Sequence, residues 1–220
     1  MKKYNYTKHK IDKSDIIEVN KVLNSDYISQ GTYLNKLESK TSRIFNSKYV
    51  LAVSSGSAAL HLAFKAIGLK KNDYVITTSL TWVASINAIM YCEAKPILID
   101  IDPHSFNISL IELEKFLKYT KKKIKYLLAV HLCGNPIDMI ELSRICKKFK
   151  IKIIEDAAQA LGSKYCGSLI GNNQYSEATV FSMQPTKTIT SGEGGLLLTN
   201  KKKIYLKAKS LRRHGINNLN

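Results

Sequence analysis

The sequence predicts an α/β fold, a mostly parallel sheet with helices on both faces. Three observations predict it. Short apolar runs alternate along the chain with segments whose apolar residues recur at helical spacing. The run Ile151-Lys-Ile-Ile154 ends in two carboxylates, Glu155 and Asp156, where open parallel sheets keep their ligands. The run Tyr49–Val53 passes through Ser54-Ser55-Gly56-Ser57 straight into a helical pattern, which reads as strand, tight turn and helix.

Each element follows from its own residues. A capped helix near Ser14–Leu23 leads to a turn at Ser29-Gln30-Gly31, and a second helix covers about Thr32–Phe45. After the strand Tyr49–Val53, Leu60, Phe64 and Ile67 form one apolar helical face, and Gly68 stops that helix. Short apolar strands follow near Tyr74–Thr77, Pro96–Asp100, Tyr126–Val130 and Lys152–Glu155. Helical patterns such as Ile111–Leu117 and Met139–Phe149 separate them. Strands near Thr179–Met183 and Gly195–Thr199 complete the sheet. No internal repeat or long low-complexity linker interrupts the pattern. Residues 1–30 therefore read as an N-terminal helical arm and residues 31–220 as one large domain.

Three segments carry chemistry. In Phe181-Ser-Met-Gln-Pro-Thr-Lys187-Thr-Ile-Thr-Ser-Gly-Glu-Gly-Gly195, Lys187 stands in a polar, glycine-rich turn with no charged neighbour until Glu193. An amine set apart from water and other cations loses its proton more readily, and a free amine forms Schiff bases with carbonyl compounds. The plain alternative for such a lysine is an ordinary surface residue. In Glu155-Asp156-Ala-Ala-Gln159-Ala-Leu-Gly162, Asp156 suits a group that must hold a proton on a pyridine nitrogen. Its alternative is a helix N-cap with Gln159 three residues on. At Ser54–Ser57 small residues crowd a helix start, whose free N–H groups suit a phosphate. The Gly-Lys-Ser/Thr and Gly-x-Gly-x-x-Gly spacings are absent, so neither a Walker loop nor a dinucleotide fingerprint is present. Taken alone, this segment is a capped helix after a strand.

Together these segments resemble the DegT/DnrJ/StrS family of sugar aminotransferases, pyridoxal-phosphate enzymes of the aspartate-aminotransferase fold (fold type I). Asp73-Tyr-Val-Ile-Thr-Thr-Ser-Leu-Thr81-Trp82-Val-Ala84, Pro96-Ile-Leu-Ile-Asp100-Ile-Asp102, Val130-His131-Leu-Cys-Gly134-Asn-Pro136 and Leu211-Arg-Arg-His214-Gly215 extend the resemblance over nearly the whole chain. Ser57 stands where the family usually has Thr. The resemblance implies that Lys187 binds pyridoxal 5'-phosphate covalently and later moves protons. It implies that Asp156 faces the pyridine nitrogen, Gln159 lies near the phenolic oxygen, and Trp82, the single tryptophan, stacks on the ring; the alternative for Trp82 is a core aromatic. Gly56, Ser57 and Ser182 would hold the phosphate. A branch of the family with His at the lysine position dehydrates instead, and Lys187 argues against it here.

Ile28-Ser-Gln30-Gly31 and Lys187-Thr-Ile-Thr190 resemble the branch that aminates a UDP-linked 4-keto-6-deoxy-N-acetyl sugar in the pseudaminic-acid pathway. The expected partners are that nucleotide-linked keto sugar and L-glutamate, and the expected full-length form is a homodimer. Family members continue past the Arg-His-Gly region, so the expectation is that a C-terminal small domain is absent from this chain. The alternative to a working transaminase is then an inactive or regulatory relic of the same fold.

Composition narrows the classes. The hydrophobic fraction of 45% is that of a globular protein. The start Met1-Lys-Lys-Tyr lacks a following apolar run, and no apolar segment approaches the roughly 18 residues of a membrane span. Cys92, Cys133, Cys146 and Cys166 lack Cys-x-x-Cys spacing and read as free thiols, with no metal site. A cytoplasmic enzyme is the expected class. The net charge of +17 comes almost wholly from scattered lysines, since only four of the 34 basic residues are arginine. No aromatic stripe interleaves them, so nucleic-acid binding is not expected.

Overall fold

The computed structural model describes residues 8–216. Helix α1 (Lys13–Leu23) is capped by Asp12 and Asp15 in a reciprocal box, and it buries none of its residues. Helix α2 (Thr32–Phe45) does bury its inner face, through Thr41 and Phe45. From there strands and helices alternate: β1 (Tyr49–Val53), α3 (Gly56–Ile67), β2 (Tyr74–Thr78), α4 (Val83–Met90), β3 (Lys95–Ile99), α5 (Leu110–Tyr119), β4 (Ile124–Val130), α6 (Met139–Lys148) and β5 (Lys152–Asp156). A small hairpin, β6 (Lys164–Tyr165) with β7 (Ser168–Leu169), precedes β8 (Ala178–Ser182), β9 (Gly195–Thr199) and α7 (Lys202–Arg212).

Seven strands form one sheet in the order β1-β9-β8-β5-β4-β2-β3. The pairs β2–β3, β2–β4, β4–β5 and β5–β8 are parallel. Strand β9 runs antiparallel to both β8 and β1, so it alone opposes the other six. The sheet is therefore mostly parallel, as the alternating pattern predicts. The C-terminal ends of six strands consequently lie along one edge, and the start of β9 joins them there.

Side-chain alternation builds a core on each face. Leu51, Val75, Leu128, Ile154, Val180 and Leu197 meet α3, α4 and α7 on one side. Ile76, Leu127 and Ile153 meet α5 and α6 on the other. Farther along that second face, Val50, Phe181, Leu196 and Leu198 pack with Phe45 of α2 and with Ala157, Ala160 and Ile170. With both faces covered, the central strands read as continuous apolar runs. The outer edge of β1 is closed by side chains: Ala52 N–H donates to Glu38 at 2.9 Å, and Arg212 donates to the Ala52 carbonyl at 3.0 Å. Glu38 and Arg212 also pair with each other. These bonds satisfy both outward backbone groups of Ala52, of the kind that make an edge strand adhesive.

The helix-cap alternative for Asp156 fails. No helix follows β5; Ala157 N–H instead donates to the Val180 carbonyl at 2.9 Å, which prolongs the approach to β8, and the chain then turns at Ala157–Ala160.

Candidate functional site

At the edge where the six strand ends gather, the chain opens into a cavity of about 430 Å³. That is within the roughly 300–1,000 Å³ of small-molecule sites. Gly56, Ser57, Trp82, Asp156, Gln159, Ser182 and Lys187 all line it. The topology brings these residues together from four separate strand–helix or strand–loop junctions.

One wall is the start of α3. Ser55 caps it, its hydroxyl accepting from Ala58 N–H at 3.1 Å and its carbonyl from Ala59 N–H at 3.0 Å. The N–H groups of Gly56 and Ser57 are left without a protein acceptor among the described residues, at the positive end of the helix. Gly56 is required by close approach: a Cβ there would lie 2.8 Å from the Ser182 Cβ and 3.1 Å from its Oγ. Gly195 is tighter still, since its Cβ would fall 2.2 Å from the Ser55 carbonyl oxygen. These two glycines press the helix start onto the ends of β8 and β9. The Ser182 hydroxyl is thereby set beside the free N–H groups.

The opposite wall begins after β2. Trp82, at the N-cap of α4, is 76% exposed, which excludes a core role. Three residues on, Ser85 turns inward. Its Oγ donates to Asp156 Oδ2 at 2.6 Å and lies 2.8 Å from Thr81 Oγ1.

Asp156 ends β5 and is 5% exposed. Burial pushes its carboxyl above the usual carboxylate range. The Ser85 hydroxyl and the Ala158 N–H, 3.1 Å from Oδ1, offset part of that, with His131 and Lys187 acting in the same sense. Next to it, Glu155 is also buried but faces other partners: His131 Nε2 donates to its Oε2 at 2.9 Å, and Thr179 and Ser176 donate to Oε1. His131 Nδ1 accepts from Ile137 N–H at 3.2 Å, which assigns the ring proton to Nε2. His131 N–H in turn donates to the Asp156 carbonyl at 3.0 Å. A buried polar network thus sits behind the strand that carries Asp156.

Gln159 Oε1 accepts from Cys133 N–H at 3.0 Å. That bond leaves its side-chain NH2 for the cavity. Gly134, at φ +80°, has no room for a Cβ, which would meet the Gln159 carbonyl oxygen at 2.9 Å. Lys187 is half-buried in the loop between β8 and β9. Its N–H donates to the Gln184 carbonyl at 2.9 Å, and the loop closes through Met183, bonded to Gly194, Ser191 and Thr190. Lys187 enters none of the ion pairs among the described residues.

All seven residues singled out from the sequence meet in this cavity. Sequence reasoning gave no role to Ser85, Thr81 or the His131–Glu155 pair. The available signal was a hydroxyl three residues after Trp82, between Ala84 and Ile86. Among the described residues no cluster of three potential metal ligands occurs, the four cysteines are free, and no helix is long and apolar enough to cross a membrane.

Fold and site define a cofactor-binding α/β domain with its ligand at the strand ends. The chain belongs to the DegT/DnrJ/EryC1/StrS aminotransferase family, whose profile matches residues 9–220. It is 41% identical over 188 residues to a GDP-perosamine synthase of Escherichia coli, covering 85% of this chain and 50% of that protein. It is 36% identical over 211 residues to a UDP-4-amino-4,6-dideoxy-N-acetyl-beta-L-altrosamine transaminase of Campylobacter jejuni, covering 96% of this chain and 55% of that protein. Its structure superposes on Helicobacter pylori PseC, an aminotransferase of pseudaminic acid biosynthesis, with a TM-score of 0.93 at 28% identity, covering 100% of this chain and 58% of that one. The chain thus spans about half the length of the curated relatives it matches. Pyridoxal phosphate is the cofactor of this family, and solved neighbours carry it or its amine form.

Proposed function

We propose that this chain carries the cofactor-binding part of an aminotransferase that moves an amino group from L-glutamate to the 4-keto carbon of a nucleotide-linked 4-keto-6-deoxy sugar. The observation that supports this most is the convergence of Lys187, Asp156, Trp82 and the Gly56–Ser182 cradle on one cavity. The residues present fit pyridoxal phosphate. The start of α3 offers free N–H groups and the Ser182 hydroxyl for a phosphate. A buried carboxylate that burial pushes toward neutrality is best satisfied by a cationic N–H donor.

Bound there, the cofactor supplies an electron sink for a substrate carbanion. The chain's own residues do the rest. Asp156 holds a proton on the ring nitrogen through its carboxylate. Trp82 offers an indole face to the ring, and the Gln159 NH2 donates to the ring oxygen. The Lys187 Nζ would hold the cofactor through its aldehyde carbon and, once displaced by the substrate's amino group, would carry a proton between the substrate carbon and that cofactor carbon. Gly56, Ser57 and Ser182 fix the phosphate so that the ring does not slide.

The UDP-linked N-acetyl sugar is the finer reading, and the likeness to PseC and to the Campylobacter transaminase supports it. The full-length form is proposed as a homodimer; exposed Leu80, Trp82 and Val83, where β2 gives way to α4, support an apolar neighbour there. The test adds pyridoxal phosphate to the purified full-length form and follows visible absorbance. A violet band that L-glutamate bleaches, and that returns on adding the UDP-keto sugar, supports the function. A band indifferent to L-glutamate refutes amino transfer. Recovery with a GDP-linked sugar only refutes the UDP assignment.

A further inference from the structure

We infer that Ser85, held by Thr81, is a positioning residue for Asp156: it fixes Oδ2 and orients the ionised carboxylate toward a protonated ring nitrogen. The inference rests on the cofactor reading above and extends it to a residue on a different helix.

The geometry carries it. Among the described residues, the Asp156 carboxylate has two protein donors: Ser85 Oγ on Oδ2 at 2.6 Å, and Ala158 N–H on Oδ1 at 3.1 Å. The first has the length of a hydroxyl bonded to a charged oxygen. Ser85 is 1% exposed, so water does not compete for it. A hydroxyl has one proton to give. If Ser85 gives it to an ionised Asp156, the 2.8 Å contact with Thr81 must run the other way, from Thr81 Oγ1 to Ser85 Oγ. The two hydroxyls then form a chain whose polarity points at the carboxylate. Reversing that polarity requires a proton on Asp156.

The same residue links two walls. Ser85 N–H donates to the Trp82 carbonyl at 3.1 Å, so the turn that presents the indole is tied through one side chain to the carboxylate on β5. Ring face and ring nitrogen are therefore held in register by Ser85. The other titratable groups around Asp156 are His131 from the end of β4 and Lys187 from the loop after β8. Glu193 lines the same cavity, while Glu155 is engaged with His131. None of these donates a hydrogen bond to the carboxylate, so none replaces Ser85.

The test compares the full chain with Ser85→Ala, Ser85→Thr and Thr81→Val. Each is loaded with pyridoxal phosphate isotope-labelled at the ring nitrogen, and both cofactor affinity and the nitrogen NMR signal are read. Ser85→Ala is expected to weaken cofactor binding about ten-fold, the effect of losing one hydrogen bond to a charged group. It should also move the nitrogen signal toward the unprotonated position. Thr81→Val should move it in the same direction by less, and Ser85→Thr should restore the parent signal. A parent-like nitrogen signal and affinity in Ser85→Ala overturns the inference and leaves the cofactor reading standing. If Ser85→Ala gives no cooperative thermal transition, Thr81→Val decides, and an unmoved signal there overturns it. A parent chain that forms no lysine-bound cofactor takes down both readings.

Discussion

Gly56→Ala probes whether the start of α3 and the end of β8 form a single cradle. The added Cβ would sit 2.8 Å from the Ser182 Cβ, 3.1 Å from its Oγ and 3.4 Å from its Cα. The Cβ and Cα are fixed to the backbone of a fully buried strand, so they cannot swing away as the end of a flexible side chain would. Overpacking of this kind costs about 1–3 kcal/mol. For a chain of this size that lowers the melting temperature by roughly 2–12 °C, at about 2–4 °C per kcal/mol. Relieving the contact pushes the helix start away from Ser182 and widens the phosphate cradle. The cofactor-induced rise in melting temperature should therefore shrink as well, since that rise follows the ratio of cofactor concentration to dissociation constant. Thermal melts with and without pyridoxal phosphate measure both effects. A lower melting temperature with an undiminished cofactor-induced rise would show that Gly56 serves packing alone. No change in either would refute the steric argument.

Other expectations follow from the same geometry. Lys187→Ala should remove the violet band while pyridoxal phosphate still binds non-covalently, which dialysis against the free cofactor would measure. In the cofactor-free chain, Asp156→Asn should stabilise the fold at neutral pH and less so near pH 4. Burial raises the folded-state value of Asp156, so its penalty is absent in acid, where the carboxyl is neutral in both states. The penalty grows as pH rises through the ordinary carboxylate range and is complete above the raised value. Urea midpoints at the two pH values check the sign, and an equal effect at both contradicts it. Glu155→Ala strands the His131 Nε2–H in the core, while Thr179 and Ser176 keep Asn173 Oδ1 as an acceptor. It should cost about 1–3 kcal/mol, the penalty of an unsatisfied buried donor, read from chemical denaturation; no measurable loss would mean that the network is not structural.

Elements with strong local signals were legible in the residues. The bounds of α2, β1 and β9 coincide with those read from the residues. Gly68 stops α3 in the left-handed conformation that favours glycine. What depends on long-range pairing was not legible. Nothing in Gly195–Thr199 tells that this strand opposes the other six of its sheet. The hairpin at Lys164–Leu169 has strands of only two residues, too short to show alternation. The Lys201–Lys203 run looks like solvated charge, yet it opens α7, whose Ile204 and Ala208 are buried. In the site, residues with unusual chemistry stood out: an isolated lysine, a strand-end aspartate and a lone tryptophan. Ser85 did not, because a serine's importance here comes from a contact across 71 positions in sequence.

The central claim is that Lys187 is the residue that holds pyridoxal phosphate in this cavity. Borohydride reduction of the loaded chain, followed by proteolysis and mass spectrometry, tests it most directly. The account predicts a phosphopyridoxyl label on the peptide containing Lys187 and on no other in stoichiometric amount. A stoichiometric label on any of the other lysines, with Lys187 unmodified, would contradict it.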